Sequence, residues 1–205
     1  MNQAKSSQDL STKQLSLKQY LYLLPVFFAG ILFPFGLAPF HLPGLAILSI
    51  AILFFLLQEQ TVKKALLIGF IFGLTSLGVG VSWVFVSIHE YGRINFFASG
   101  FITLFFVIYL ALYTALVAAT YSYLAKRCTL LFSCLIFSAL WCLGEYLRST
   151  LIGGFPWLLL GYSQIDTPIK FLLPIFGVFG ASFFACLCAT FLAAAFIYRH
   201  KKRHL

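Results

Sequence analysis

The sequence predicts an all-α fold: a polytopic membrane helix bundle of about six transmembrane helices with the N- and C-termini in the cytoplasm. Three observations carry this. Of 205 residues, 61% are hydrophobic and only 9% charged, too few charges to cover the apolar surface of a soluble domain of this size. Uncharged runs longer than the roughly 20 residues that cross a bilayer recur along the chain. The basic residues punctuate these runs instead of gathering on one water-facing surface with aromatics between them, so a net charge of +9 does not point to nucleic acid.

The elements follow in chain order. Residues 1–19 form a polar N-terminal segment, expected in the cytoplasm; its charges are not followed by a single short apolar core and a soluble remainder, so the first helix reads as retained rather than as a signal peptide. Residues 20–198 form one membrane domain. Leu21 to Leu57 holds 37 residues without Asp, Glu, Lys or Arg, nearly two crossings. Pro34, Pro39, Pro43 and Gly44 in its middle predict two short helices joined at "PFGLAPFHLPG". Further spans are expected at about Ala65–Ile88, Phe96–Ala125, Thr129–Leu147 and Phe171–Tyr198, and residues 199–205 form a basic cytoplasmic tail.

Charge fixes the expected sidedness. With six spans and a cytoplasmic N-terminus, Lys5, Lys13, Lys18, Lys63, Lys64, Lys126, Arg127, Arg199, Lys201, Lys202 and Arg203 lie inside, leaving Arg93, Arg148 and Lys170 outside. That split obeys the positive-inside rule. A single span from Leu21 to Leu57 would put Lys63 and Lys64 on the wrong side.

Small residues recur at helical spacing on three spans: Gly69, Gly73, Ser76, Gly80, Trp83 and Ser87; Ala111, Ala115, Ala118 and Ser122; and Gly177, Ala181, Ala185 and Cys188. Such stripes let helices approach closely in lipid. Cys128, Cys134, Cys142, Cys186 and Cys188 contain no C-x-x-C pair and read as packing residues. The histidines make no H-x-x-x-H pair. No metal or other cofactor is expected.

The unusual chemistry collects on the outer side. Glu145 is a carboxylate inside a predicted span, with Arg148 on the same helical face three residues later. The pair is either an intrahelical ion pair anchoring the following loop, or Arg148 reaches a phosphate while Glu145 orients it. In "GGFPWLLLGYSQ", Gly154, Pro156, Trp157, Gly161, Tyr162 and Gln164 crowd together; the stretch is either an interfacial aromatic belt or a shaped surface that receives a lipid or a partner domain. His41, His89, Glu90 and Asp166 show no spacing that forms a nucleophile with its base, so no catalytic residue is assigned. No mid-membrane charge pair or broken-helix ion site supports a transporter.

The stretches "GVGVSWVFVSIHEYG", "ALYTAL" and above all "ALWCLGEYLRSTLIGGFPWLLLGYSQID", running on to "PIFGVFG", resemble the N-terminal membrane portion of the bacterial apolipoprotein N-acyltransferase family. E-[YF]-L-R followed by G-F-P-W and G-Y-S-Q is its most specific part, and the likeness extends from about Leu21 onward. The resemblance implies a multi-pass protein of the bacterial inner membrane that serves the last step of lipoprotein biosynthesis, acyl transfer from a phospholipid to the N-terminal diacylglyceryl-cysteine of an apolipoprotein. It implies phospholipid and diacylated apolipoprotein as partners. In the family a nitrilase-like domain carries the cysteine nucleophile, glutamate base and lysine; none of the five cysteines here matches that motif. The expectation is therefore a membrane domain lacking its catalytic domain within these 205 residues, paired with a separately encoded nitrilase-like domain or standing as a truncated product. The alternative is a non-catalytic membrane scaffold or lipid-binding module. Gly154 and Trp157 match loop positions implicated in the family's function, and with Arg148, Glu145, Tyr162 and Gln164 they make up the candidate lipid-binding set.

The charge split generates a test. Single cysteines introduced beside Lys63 and Lys202 are expected to resist a membrane-impermeant thiol reagent in intact cells and one beside Arg93 to react; labelling of the first two from outside would overturn the six-span topology.

Overall fold

The computed structural model describes residues 23–202, and these are helical, without strands. The polar segment 1–19 and the last three residues of the basic tail lie outside the described residues. Six apolar helices carry the fold: α1 (Leu23–Phe35), α2 (Pro43–Leu57), α3 (Val62–Gly80), α4 (Phe96–Leu124), α5 (Leu130–Thr150) and α6 (Leu173–Lys202). Their order in space is a closed ring, α1–α3–α4–α5–α6–α2, with α2 returning to α1.

The starts of the helices are written locally. Thr61, Asn95 and Thr129 cap α3, α4 and α5, each side chain accepting from a backbone N–H three residues on, which satisfies one of the amides a helix start leaves open. Pro43 opens α2, where its missing N–H costs nothing.

The proline-rich segment forms the expected hairpin, α1 turning through residues 36–42 into α2. Its helices are 13 and 15 residues long, shorter than one crossing needs. The stretches Val62–Gly80, Phe96–Arg127, Leu130–Thr150 and Pro168–Arg199 are long and apolar enough to cross a membrane.

Two expectations require correction. The span drawn from Ala65 to Ile88 stops at Gly80; a separate turn of helix (Trp83–Val86) and a wide turn (Ser87–Tyr91) follow. Trp83 and Ser87 therefore do not continue the small-residue stripe of α3. On α6, Gly177 adopts φ 65° and interrupts the helix one turn after it begins, and Cys188 is exposed, so only Ala181 and Ala185 of that stripe are buried.

The stripes on α3 and α4 do meet. A Cβ on Gly69 would lie 2.6 Å from both Ala118 Cβ and Thr114 O, and one on Gly73 would lie 3.0 Å from Ala111 Cα. Backbones this close exchange dispersion contacts over their whole length, which in lipid substitutes for the hydrophobic effect. Aromatic rings fill the middle of the ring of helices. Phe54, Tyr121 and Phe137 contact one another, and Phe137 leads through Trp141 to Phe33 and Phe72, with centroid separations of 5.2 to 6.1 Å.

The glycine contacts predict unequal effects. Gly69→Ala is expected to destabilise the protein by about 1–3 kcal/mol through overpacking. Gly78→Ala, whose nearest neighbour would be Val107 Cγ1 at 4.0 Å, is expected to change little, and unfolding midpoints in mixed detergent would separate the two.

Candidate functional site

The site is built from the last turns of α5 and the chain that leaves it. Trp141, Glu145 and Arg148 follow one another at helical spacing, so their side chains share the face of α5 that looks into the bundle. All three are buried, Glu145 and Arg148 at 4% and 7% exposure.

Arg148 holds the loop by its backbone. Nη1 donates to Phe155 O at 3.1 Å and to Trp157 O, and Nη2 donates to Leu158 O at 3.4 Å. The backbone closes the same ring from the other side, Phe155 N–H donating to Arg148 O at 2.8 Å. Glu145 holds the next residues: its Oε1 accepts from Trp141 Nε1 at 3.0 Å and from Leu160 N–H at 2.8 Å. Its Oε2 has no donor in hydrogen-bonding geometry. The two charged groups do not approach within 4.0 Å as an ion pair. Of the two readings, the direct ion pair does not form; Arg148 and Glu145 instead clamp one loop separately, the arginine taking a fan of three carbonyls near the helix end.

The loop's shape depends on one glycine in particular. Gly154 has φ 62°, and a Cβ there would strike Ser149 O, so both conformation and space demand glycine. Gly154 N–H donates to Leu151 O at 3.0 Å and turns the chain back over the end of α5. Beyond Leu160, Gly161 N–H donates to Ser182 Oγ at 2.8 Å and fixes the loop to α6. Gln164 is 2% exposed; its Nε2 donates to Ser163 Oγ at 2.6 Å and its Oε1 accepts from Thr167 Oγ1 at 3.0 Å.

These contacts divide the six candidates. Glu145, Arg148 and Gln164 are buried and hold backbone and neighbouring side chains, Gly154 makes the turn, and Trp157 and Tyr162 are about half exposed. Trp157 lies 5.3 Å, centroid to centroid, from Trp83, and Phe155 packs edge-on against Phe106 at 5.0 Å. Trp83 and Phe106 therefore join the candidate surface, which the sequence reading missed. No sequence signal marked Trp83, since the small-residue spacing runs on through it; the end of α3 at Gly80 is what frees it to turn toward the loop. His41 Nδ1 also meets Asp166 Oδ2 at 3.3 Å, joining the α1–α2 turn to the same end of the bundle. Both are exposed, so the pair adds little stability.

Beneath the loop lies a cavity of about 30 Å³ lined by Ser76, Tyr113, Trp141, Glu145, Arg148 and Leu158, among others. The tyrosine hydroxyls of 109 and 113 share a hydrogen bond of 2.7 Å beside it. The arrangement presents Trp157, on a loop held by Arg148 and Glu145, beside the Trp83 indole of the turn after α3.

Replacing parts of the clamp is expected to loosen this loop in a graded way. Arg148→Lys offers one ammonium where three carbonyls are held, and Glu145→Ala leaves the buried Leu160 N–H unpaired at about 1–3 kcal/mol. Both should speed amide exchange over residues 155–161, whereas Glu145→Gln keeps one acceptor oxygen for Trp141 and Leu160 and should change it little. Hydrogen–deuterium exchange of the purified variants checks the order.

Residues 29–191 match the family model of the apolipoprotein N-acyltransferase N-terminal domain. Among curated relatives, the apolipoprotein N-acyltransferase of Methylococcus capsulatus is 41% identical over 156 residues, covering 76% of this chain and 31% of the relative. That of Photobacterium profundum is 41% identical over 158 residues, 77% of this chain and 31% of the relative. The Coxiella burnetii enzyme is 45% identical over 115 residues, 56% of this chain and 24% of the relative. The aligned region thus spans about a third or less of each of these relatives.

Proposed function

Because this chain belongs to the apolipoprotein N-acyltransferase N-terminal domain family, we propose that it is the membrane portion of an enzyme that moves an acyl chain from a phospholipid to the N-terminal diacylglyceryl-cysteine of an apolipoprotein. In this reading it is a six-span protein of the bacterial inner membrane with both ends cytoplasmic. A nitrilase-like domain, in the same polypeptide or a separate one, supplies the nucleophile.

The observation that carries the proposal is the double clamp beneath Trp157. Arg148 holds the carbonyls of residues 155, 157 and 158 and Glu145 Oε1 the N–H of residue 160, which presents Trp157 beside Trp83 as a preorganised apolar rim. Amphipathic indoles suit the bilayer interface. A rigid aromatic surface there can receive an acyl chain with little loss of side-chain freedom. Trp157 and Tyr162 then touch lipid, Gly154 sets the turn, and Arg148, Glu145 and Gln164 are positioning residues. This reading assigns Arg148 to the loop carbonyls in place of a lipid phosphate.

The test joins this chain in frame to the remaining part of the Methylococcus capsulatus relative and follows acyl transfer to a diacylated lipopeptide. Trp157→Ala is expected to lower turnover at least tenfold while expression and membrane insertion hold, and Phe105→Ala, on an exposed face of α4, is expected to leave it unchanged. Equal turnover in the Trp157 variant and the parent would reduce the loop to an interfacial belt.

A further inference from the structure

A second lipid-shaped surface runs along the side of the molecule. Between α2 and α6 runs a lateral groove of about 630 Å³, walled mainly by apolar side chains such as Ile47, Phe55, Leu192 and Phe196, with Gln164 and Thr167 also lining it. From Pro43 to Phe55 it follows α2 for about 18 Å at the helical rise, comparable with one extended acyl chain. At its far end Phe55 meets Phe196 edge-on, 5.8 Å between centroids.

Phe55 also lines a second cavity, of about 940 Å³, where the α2–α3 turn, the α4–α5 turn and α6 converge. The chemistry changes across this ring. The walls beyond it include Gln58, Glu59, Thr61, Lys126, Ser133 and Tyr198. Several polar groups here are already engaged: Gln58 Nε2 donates to Phe54 O at 2.8 Å and to Tyr121 OH at 2.9 Å, and Ser122 Oγ donates to Gln60 O at 2.6 Å. Lys126 is exposed at the mouth, with Arg127 next to it and Lys63, Lys64 and Arg199 on the adjoining turns. Against these stands one carboxylate, Glu59, which has an interaction of its own.

We propose that the groove and cavity together bind one anionic phospholipid, an acyl chain lying along α2 and α6 and the phosphate resting on Lys126. The complement is one of shape and charge: an apolar trough ends at Phe55 against a polar chamber lined by Lys126 and Glu59, the exposed Lys63, Lys64 and Arg127 lie on the chain segments next to it, and basic pockets between membrane helices recognise anionic head groups. The chamber sits at the end of the bundle opposite Arg148 and Trp157, since α4 carries the chain from one end to the other and α5 carries it back, and the groove runs from it toward Pro43, Gln164 and Thr167. It does not depend on the acyl-transfer reading.

Native mass spectrometry of the purified full chain tests it with dioleoyl phosphatidylglycerol, dioleoyl phosphatidylcholine and inorganic phosphate as separate probes. One phosphatidylglycerol is expected to be retained in preference to phosphatidylcholine, with no adduct from phosphate alone. Lys126→Ala is expected to weaken retention about fivefold, the scale of one basic residue at an anionic surface. The double variant Leu48→Trp/Leu192→Trp fills the groove from positions already 47% and 61% exposed and should abolish the adduct. Trp157→Ala should retain it, which separates this site from the aromatic rim. Equal retention of both lipids, unchanged retention in Lys126→Ala, or phosphate binding by itself would overturn the proposal.

Discussion

The end of the bundle that bears Trp157 depends on one constraint: peptide groups removed from water must find partners inside the protein. A loop of a dozen residues lying against apolar helices exposes carbonyls that lipid cannot satisfy. Arg148 meets it with donors in a fixed planar fork spread over three carbonyls, something a lysine's single ammonium cannot reproduce. Glu145 meets it from the opposite polarity by accepting the Leu160 N–H. The two charges are thus separated in function, one serving acceptors and the other donors, and both are tied to α5.

That clamp has consequences beyond the loop. With the backbone of 155–161 held, Leu158 packs against the end of α3, where a side chain on Gly80 would collide with it. The end of α3 at Gly80 in turn frees Trp83 to lie beside Trp157. Close packing of α3 on α4 through Gly69 and Gly73 fixes where α3 ends relative to Phe106, the partner of Phe155. The aromatic surface is therefore assembled from three separate segments, each placed by contacts made deeper in the bundle.

The two ends of the molecule differ in chemistry. One presents indoles over a loop whose carbonyls Arg148 holds, and the other presents amides, hydroxyls, Glu59 and Lys126 around a chamber. Between them, a chain of edge-on and tilted ring contacts runs from Tyr121 to Phe72. Phe33, Phe54, Phe72 and Phe137 fill this centre, whereas many of the other phenylalanines lie exposed on the outer surface of the bundle, where an apolar ring suits lipid.

Composition and periodicity alone determined that the chain is a helical membrane bundle, where its six apolar helices lie, that "PFGLAPFHLPG" turns a hairpin, and that the region from Glu145 to Gln164 is the unusual one. These follow from local rules: length against bilayer thickness, proline and glycine at turns, and the cost of a carboxylate in an apolar run. The tertiary structure decided what those residues touch. Arg148 and Glu145, three apart on one face, read either as an ion pair or as a phosphate-binding arginine with its orienting carboxylate, because sequence spacing sees only the helix they share; in the structure they hold carbonyls and an amide 7 to 15 residues ahead, brought back by a turn that Gly154 permits. The meeting of Trp83 with Trp157 and of His41 with Asp166 was likewise illegible, since each pair is separated by more than 70 residues and joined only by the closure of the helix ring.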